Sequence, residues 1–128
     1  MYTILICDDD RDIVSALDIY LTSEGYQTVK AYNGREALKA VEQREIHLIL
    51  MDIMMPGMDG YEATRAIRLS EKVDAADIPI IALTANAFAE DAKAAHDAGM
   101  NAHLSKPLDF NKLKNILARI KKNGSVSL

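Results

Sequence analysis

The strongest constraint on the fold of this 128-residue chain is an alternation. Short β-like runs occur at 3–7 (TILIC), 27–31 (QTVKA), 47–51 (HLILM), 79–83 (PIIAL) and 102–105 (AHLS). Between them, apolar residues recur three or four apart, the spacing of one helical face. In 11–24, Ile13, Leu17 and Leu21 share such a face and Gly25 supplies a C-terminal stop; in 34–44 the apolar side is Ala37, Leu38 and Val41. Helical spacing continues over 60–70, 88–98 and 109–122, with Gly99 closing one helix, Asp109 capping another and Asp10 or Asp12 capping the first. Strands that alternate with helices favour a parallel sheet, because each crossover returns the chain to the same end.

Right-handed crossovers leave few arrangements, and five βα units fit an α/β, doubly wound, flavodoxin-like sheet of order 2-1-3-4-5. The first and third runs are almost unbroken apolar stretches, as central strands covered on both faces require. Residues 71–78 (EKVDAADI) read as a polar surface loop. A single domain over 1–122 is expected, with 123–128 (NGSVSL) as a flexible tail. The net charge of −4 offers no basic face for direct nucleic-acid binding. No apolar stretch reaches the about 18 residues of a membrane span, and the N-terminus lacks a signal peptide's charged and apolar regions. One cysteine, Cys7, lies inside the first apolar run, which suits a small buried hydrophobe in a reducing cytoplasm.

The chemistry falls at strand ends. In an open parallel sheet, ligands gather beyond the carboxyl ends of the strands. Asp8, Asp9 and Asp10 follow the first strand, Asp52 the third, Thr84 the fourth and Lys106 the fifth, so residues remote in sequence converge on one edge. Two carboxylates about 4 Å apart repel by roughly 4 kcal/mol at an effective dielectric near 20, so a positive partner is required. Hard carboxylate oxygens suit Mg²⁺. A remaining aspartate can attack phosphorus to form an aspartyl phosphate, with Mg²⁺ and Lys106 supplying charge and Thr84 a hydrogen bond. Each residue alone has an ordinary reading: acidic runs cap helices, Pro56-Gly57 and Asp59-Gly60 are turn chemistry, and a lysine before proline is a loop residue. The methionines from 51 to 58 read as adaptable packing, and His47 and His96 show no metal spacing. Joint placement at four strand ends outweighs the separate readings.

The motifs ILICDDD, LILMDIMMPGMDG, PIIALTA and HLSKP, in that order over residues 3–122, resemble the receiver domains of two-component response regulators. The resemblance implies that Asp52 is the phosphoacceptor and that Asp9 ligates Mg²⁺ directly, with Asp8 beside it acting through water. Asp52 and the backbone carbonyl of Met54 complete the protein ligands. Thr84 matches the hydroxyl that turns toward the phosphoryl group, and Lys106 the lysine that pairs with the acceptor site, its bond to Pro107 being cis. Met54 and Asn86 stand where residues influence the hydrolysis rate. His103 occupies the aromatic switch position, where tyrosine or phenylalanine is usual; an exposed strand histidine without a switching role is the alternative.

The implied partner is a histidine kinase or histidine phosphotransfer protein, and the implied output is partner binding through the face of the fourth helix, fifth strand and fifth helix. Such a domain is a signalling switch rather than an enzyme, a monomer or weak dimer. Residues 1–60 read like receivers of DNA-binding regulators, whereas 79–107 look like those of hybrid histidine kinases, and the ADDY run of winged-helix regulators is missing. Two rival classes share the fold: a docking module independent of phosphorylation, and an enzyme of the flavin-carrier or aspartate-phosphatase kind. The complete acidic, hydroxyl and lysine set opposes the first, and the acidic loop after the first strand would repel a flavin phosphate.

Overall fold

The computed structural model describes residues 2–72, 74–85 and 89–123. Its elements alternate: β1 (Thr3–Cys7), α1 (Arg11–Ser23), β2 (Gln27–Ala31), α2 (Gly34–Gln43), β3 (Leu48–Asp52), α3 (Gly60–Arg68), β4 (Ile80–Thr84), α4 (Ala89–Ala98), β5 (Ala102–Ser105) and α5 (Phe110–Asn123). The strands form one sheet of order β2-β1-β3-β4-β5, parallel throughout, which is the expected flavodoxin-like arrangement. No helix among the described residues is long and apolar enough to cross a membrane. Residues 124–128 of the expected tail, and Asn86, lie outside the described residues.

Every residue of β1, β3 and β4 is buried, and the two-residue period of a strand explains why. Leu5, Ile49, Met51, Ile80 and Ala82 point to one face and pack with Ala37, Val41, Ala63, Ile67 and Ala95 of α2, α3 and α4. Ile4, Ile6, Leu48, Leu50, Ile81 and Leu83 point to the other and pack with Val14, Leu17 and Leu21 of α1 and Leu113, Leu117 and Ile120 of α5. Both faces being covered, an alternating polar residue has nowhere to go.

Helix starts are fixed by side chains. Asp10, rather than Asp12, caps α1, accepting from the backbone N–H of Asp12 (2.9 Å) and Ile13 (3.4 Å). Asn33 accepts from Glu36 N (2.8 Å) while Glu36 accepts back from Tyr32 N (3.0 Å), and Asp59 and Asp109 cap α3 and α5. Gly25 (φ +92°) and Gly99 (φ +107°) follow α1 and α4 in the left-handed region that closes a helix.

Two details differ from the sequence reading. β3 and β4 each begin and end one residue later than expected, because ladder pairing extends through Asp52, opposite Leu83, instead of including His47 and Pro79. The stretch expected to be a polar surface loop also contributes to the core: Ala75 and Ile78 are buried. Arg68 is the reason. Its Nη1 donates to the carbonyls of Ala75 (3.0 Å) and Ile78 (2.7 Å), its Nε and Nη2 to Gly99 O (3.0 and 2.7 Å), and its Nη2 to Asn101 Oδ1 (2.9 Å). The same Asn101 oxygen accepts from Ile80 N at 2.9 Å. One guanidinium thus ties the end of α3, the connection before β4 and the entry to β5. Lys72 closes the connection from the other side, donating to Val41 O (2.6 Å) and to Arg44 O at the end of α2.

Replacing Arg68 by methionine keeps the volume but strips these carbonyls of their donors. A loss of stability on the order of 3 kcal/mol is expected, with an unchanged denaturant slope, in urea unfolding followed by circular dichroism. A loss below about 0.5 kcal/mol would show that the cluster is solvated rather than clamped.

Candidate functional site

The carboxyl ends of β1 and β3 are neighbours because the two strands pair in register from Ile4–Leu48 to Cys7–Met51. Asp8, immediately beyond β1, is fully buried; Asp52, the last residue of β3, is 3% exposed; Asp9 is open to solvent. Carboxylate oxygens of the three lie within 4.8 Å of one another. Lys106, just beyond β5, reaches back with its Nζ 2.9 Å from Asp8 Oδ2 and 3.2 Å from Asp52 Oδ1. Its backbone N–H donates to Thr84 O at 2.7 Å, joining the ends of β4 and β5, and the Lys106–Pro107 bond is cis. Thr84 itself ends β4, one residue past the partner of Asp52, and is 7% exposed. Asp10 turns away to cap α1, its own amide donating to Asp8 Oδ1 at 2.9 Å.

The backbone around Asp52 is held by Gly60. A Cβ built there would lie 2.2 Å from Asp52 O and 2.8 Å from Ile53 Cα, so the first turn of α3 rests directly on the end of β3. Gly60 N–H also donates to Ile53 O at 3.0 Å. The intervening loop carries Met54, whose side chain is exposed, so the ligand expected from it is the backbone carbonyl alone.

Burial pushes the Asp52 carboxyl up to about 7, and the charge of Asp8 adds to it, while Lys106 opposes the shift. Burial also works against the charge on Lys106, but Asp8 and Asp52 outweigh it and hold the ammonium protonated to higher pH than usual. The Cys7 thiol is pushed up by burial and by these carboxylates; its Sγ lies 3.3 Å from Asn33 O, an inert core group as expected.

The donor set fits a divalent cation. Asp8 Oδ2 is close enough to Lys106 for ionic attraction, yet the directions are wrong for a hydrogen bond, so this buried oxygen has no donor. With all three aspartates ionised, one ammonium leaves two negative charges uncompensated. Oxygens about 2.1 Å from Mg²⁺ stand at most about 4.2 Å apart, so only a small contraction separates these carboxylates from such a shell.

A family model for the response regulator receiver domain matches residues 4–118. The chain belongs to the response regulator receiver domain family. Among curated relatives, the CAI-1 autoinducer sensor kinase/phosphatase CqsS of Vibrio cholerae is 41% identical over 115 residues, 90% of this chain but only 17% of that protein. The receiver domain of sensor histidine kinase PA1611 from Pseudomonas aeruginosa, solved with a magnesium ion coordinated in its active-site cleft, is 38% identical. The match covers 92% of this chain and 95% of that one at a TM-score of 0.83. Response regulator TrrA of Thermotoga maritima, solved in complex with Mg(2+)-BeF, is 32% identical over 94% of this chain and 99% of its own, at a TM-score of 0.81.

In this receiver domain the structure brings Asp8, Asp9, Asp52 and Lys106 together and sets Thr84 at the adjoining strand end. Two features escaped the sequence reading. The Lys106–Asp8 contact was not anticipated, since nothing in HLSKP says which carboxylate its lysine approaches more closely. The Gly60 contact was hidden because a glycine after aspartate reads equally well as a turn. His103, in β5, is half-buried, and its Nδ1 is buried without a hydrogen-bond partner.

The raised Asp52 pKa sets the sign of a pH dependence. The folded chain holds this proton more tightly than the unfolded chain, where aspartate titrates near about 3.9. Its contribution to stability is therefore fully present below that value and is lost as pH rises through about 7. In metal-free buffer, Asp52→Asn should unfold at higher urea than the parent at pH 8, by on the order of 1–2 kcal/mol, and the advantage should fade toward pH 4. A difference that is flat in pH would contradict the assignment.

Proposed function

We propose that this receiver domain, spanning 1–122, is a phosphorylation-driven switch in a two-component system or phosphorelay, with Asp52 as acceptor. The observation that carries the reading is the convergence of three carboxylates and one ammonium at the ends of β1, β3 and β5. A phosphohistidine on a kinase or phosphotransfer protein in the cytoplasm is the donor. An Asp52 carboxylate oxygen forms the new bond to phosphorus while the phosphorus–nitrogen bond of the donor breaks, its electron pair returning to the imidazole. Asp8, Asp9, Asp52 and the carbonyl of Met54 would hold Mg²⁺, which when bound supplies positive charge to the phosphoryl oxygens. Support for that ion comes from the magnesium in the PA1611 and TrrA structures together with the donor set described above. Lys106 provides a second positive charge, already positioned 3.2 Å from Asp52, and the Thr84 hydroxyl donates to the phosphoryl group.

Output is a population shift. Closing of Thr84 and Lys106 on the added charge reshapes the face of α4, β5 and α5, with His103 turning in the role of the switch residue. Moving a balance from 1:99 to 99:1 takes about 5.5 kcal/mol. Two or three charge-assisted hydrogen bonds, at roughly 1.5–3 kcal/mol each, are of that size. Met54 and Asn86, each two residues along the sequence from Asp52 and Thr84 respectively, influence how fast water removes the phosphoryl group.

Treatment with a small-molecule phosphodonor, read by intact mass, should add one phosphoryl group in the presence of Mg²⁺ and almost none after chelation. Asp52→Asn should remain unlabelled while keeping its far-ultraviolet circular dichroism. Full labelling of that variant would place the acceptor elsewhere.

A further inference from the structure

β5 is the outermost strand, so one of its edges meets no other strand of the sheet. Between β5 and α5 lies a groove of about 320 Å³, lined by the four β5 residues and by Lys112, Asn115, Ile116 and Arg119. Its described lining holds two full positive charges and no carboxylate, in a chain whose net charge is −4. Lys112 and Arg119 are both exposed, and none of the ion pairs among the described residues uses either one. The neighbouring carboxylate, Asp109, is occupied in capping α5 through the amides of Asn111 and Lys112. Ile116, 9% exposed, gives the groove an apolar floor. His103 lines the opposite wall, and no hydrogen bond through its Nδ1 holds the ring in place.

We infer that this groove takes an extended acidic segment of a partner protein, laid along β5 with its carboxylates on Lys112 and Arg119. The inference rests on the output-face reading above and names the chemistry of what that face binds. An edge strand offers unpaired backbone groups to an added strand, and side-chain pockets then select the sequence. Lys112 and Arg119 are two helical turns apart, about 10.5 Å along α5. Same-face residues of an extended chain two and four apart are separated by about 6.8 and 13.6 Å. Long lysine and arginine side chains cover the difference. A second copy of this chain is disfavoured, because two such grooves face to face oppose like charges.

The test uses the whole unphosphorylated chain and a fluorescein-labelled peptide of alternating glutamate and valine, with its lysine–valine counterpart as control. At low salt, about 0.02 M, the acidic peptide should bind by fluorescence anisotropy and the basic one should not. The amide shifts it causes should fall on 102–105 and 112–119. A Lys112→Gln, Arg119→Gln double variant, both positions being exposed, should fold normally and weaken binding about tenfold. Equal binding of both peptides, unchanged affinity in the double variant or shifts elsewhere on the surface would overturn the inference. So would a concentration-dependent dimer that buries these residues, which would assign the groove to a second copy. No phosphodonor is present, so failure here leaves the Asp52 reading intact, and failure to label Asp52 leaves the peptide result intact.

Discussion

Two carboxylates, Asp8 and Asp52, are almost completely removed from water at the ends of adjacent central strands and share one ammonium. Such an arrangement is costly, since burial of a charge is tolerated only when it is paired. The chain cannot relax it by moving either side chain outward, because β1 and β3 are buried along their whole length and locked in register. The tension therefore stays where the sheet puts it, and shows as an Asp52 that holds its proton to near neutral pH. A small cation would relieve it. The concentration of negative charge at this edge is the electrostatic consequence of a well-packed interior.

Much of this was legible in the sequence, and the reasons are specific. TILIC and HLILM announce central strands because a strand covered on both faces reads as a nearly unbroken apolar run. Sheet order followed from the crossover rule, and the convergence of Asp8, Asp9, Asp52 and Lys106 followed from knowing which end of each strand carries ligands. What failed to show was long-range and backbone-directed. Arg68 looks like any basic residue in the last turn of a helix, yet its five hydrogen bonds go to groups as far as Asn101. Burial of Ala75 and Ile78 follows from that clamp and not from the polar composition of 71–78. Strand ends shifted by one residue for a related reason: ladder hydrogen bonds, not hydrophobicity, set where β3 stops, and they include Asp52.

The two ends of the sheet are therefore built differently. At the amino end of β4 and β5, neutral carbonyls are tied by one guanidinium and one asparagine, a passive cross-link. At the carboxyl end, the link between β5 and the centre of the sheet is Lys106, whose partners are the charges that chemistry would alter. Adding charge at Asp52 competes directly for that lysine. A change at β3 thereby has a physical route to β5 and its neighbouring groove, through one side chain and the Lys106–Thr84 backbone bond.

Asp8, Asp9 and Asp52, far apart in sequence, bring their carboxylates to one place where a single cation would bind. Titration with Mg²⁺, followed through backbone amide resonances, tests it without any phosphodonor or partner. A saturable response is expected, concentrated at residues 8–10, 52–54, 84–85 and 106 and moving together along one binding curve. Responses that are absent, that fail to saturate, or that follow separate curves at Asp9 and Asp52 would contradict it.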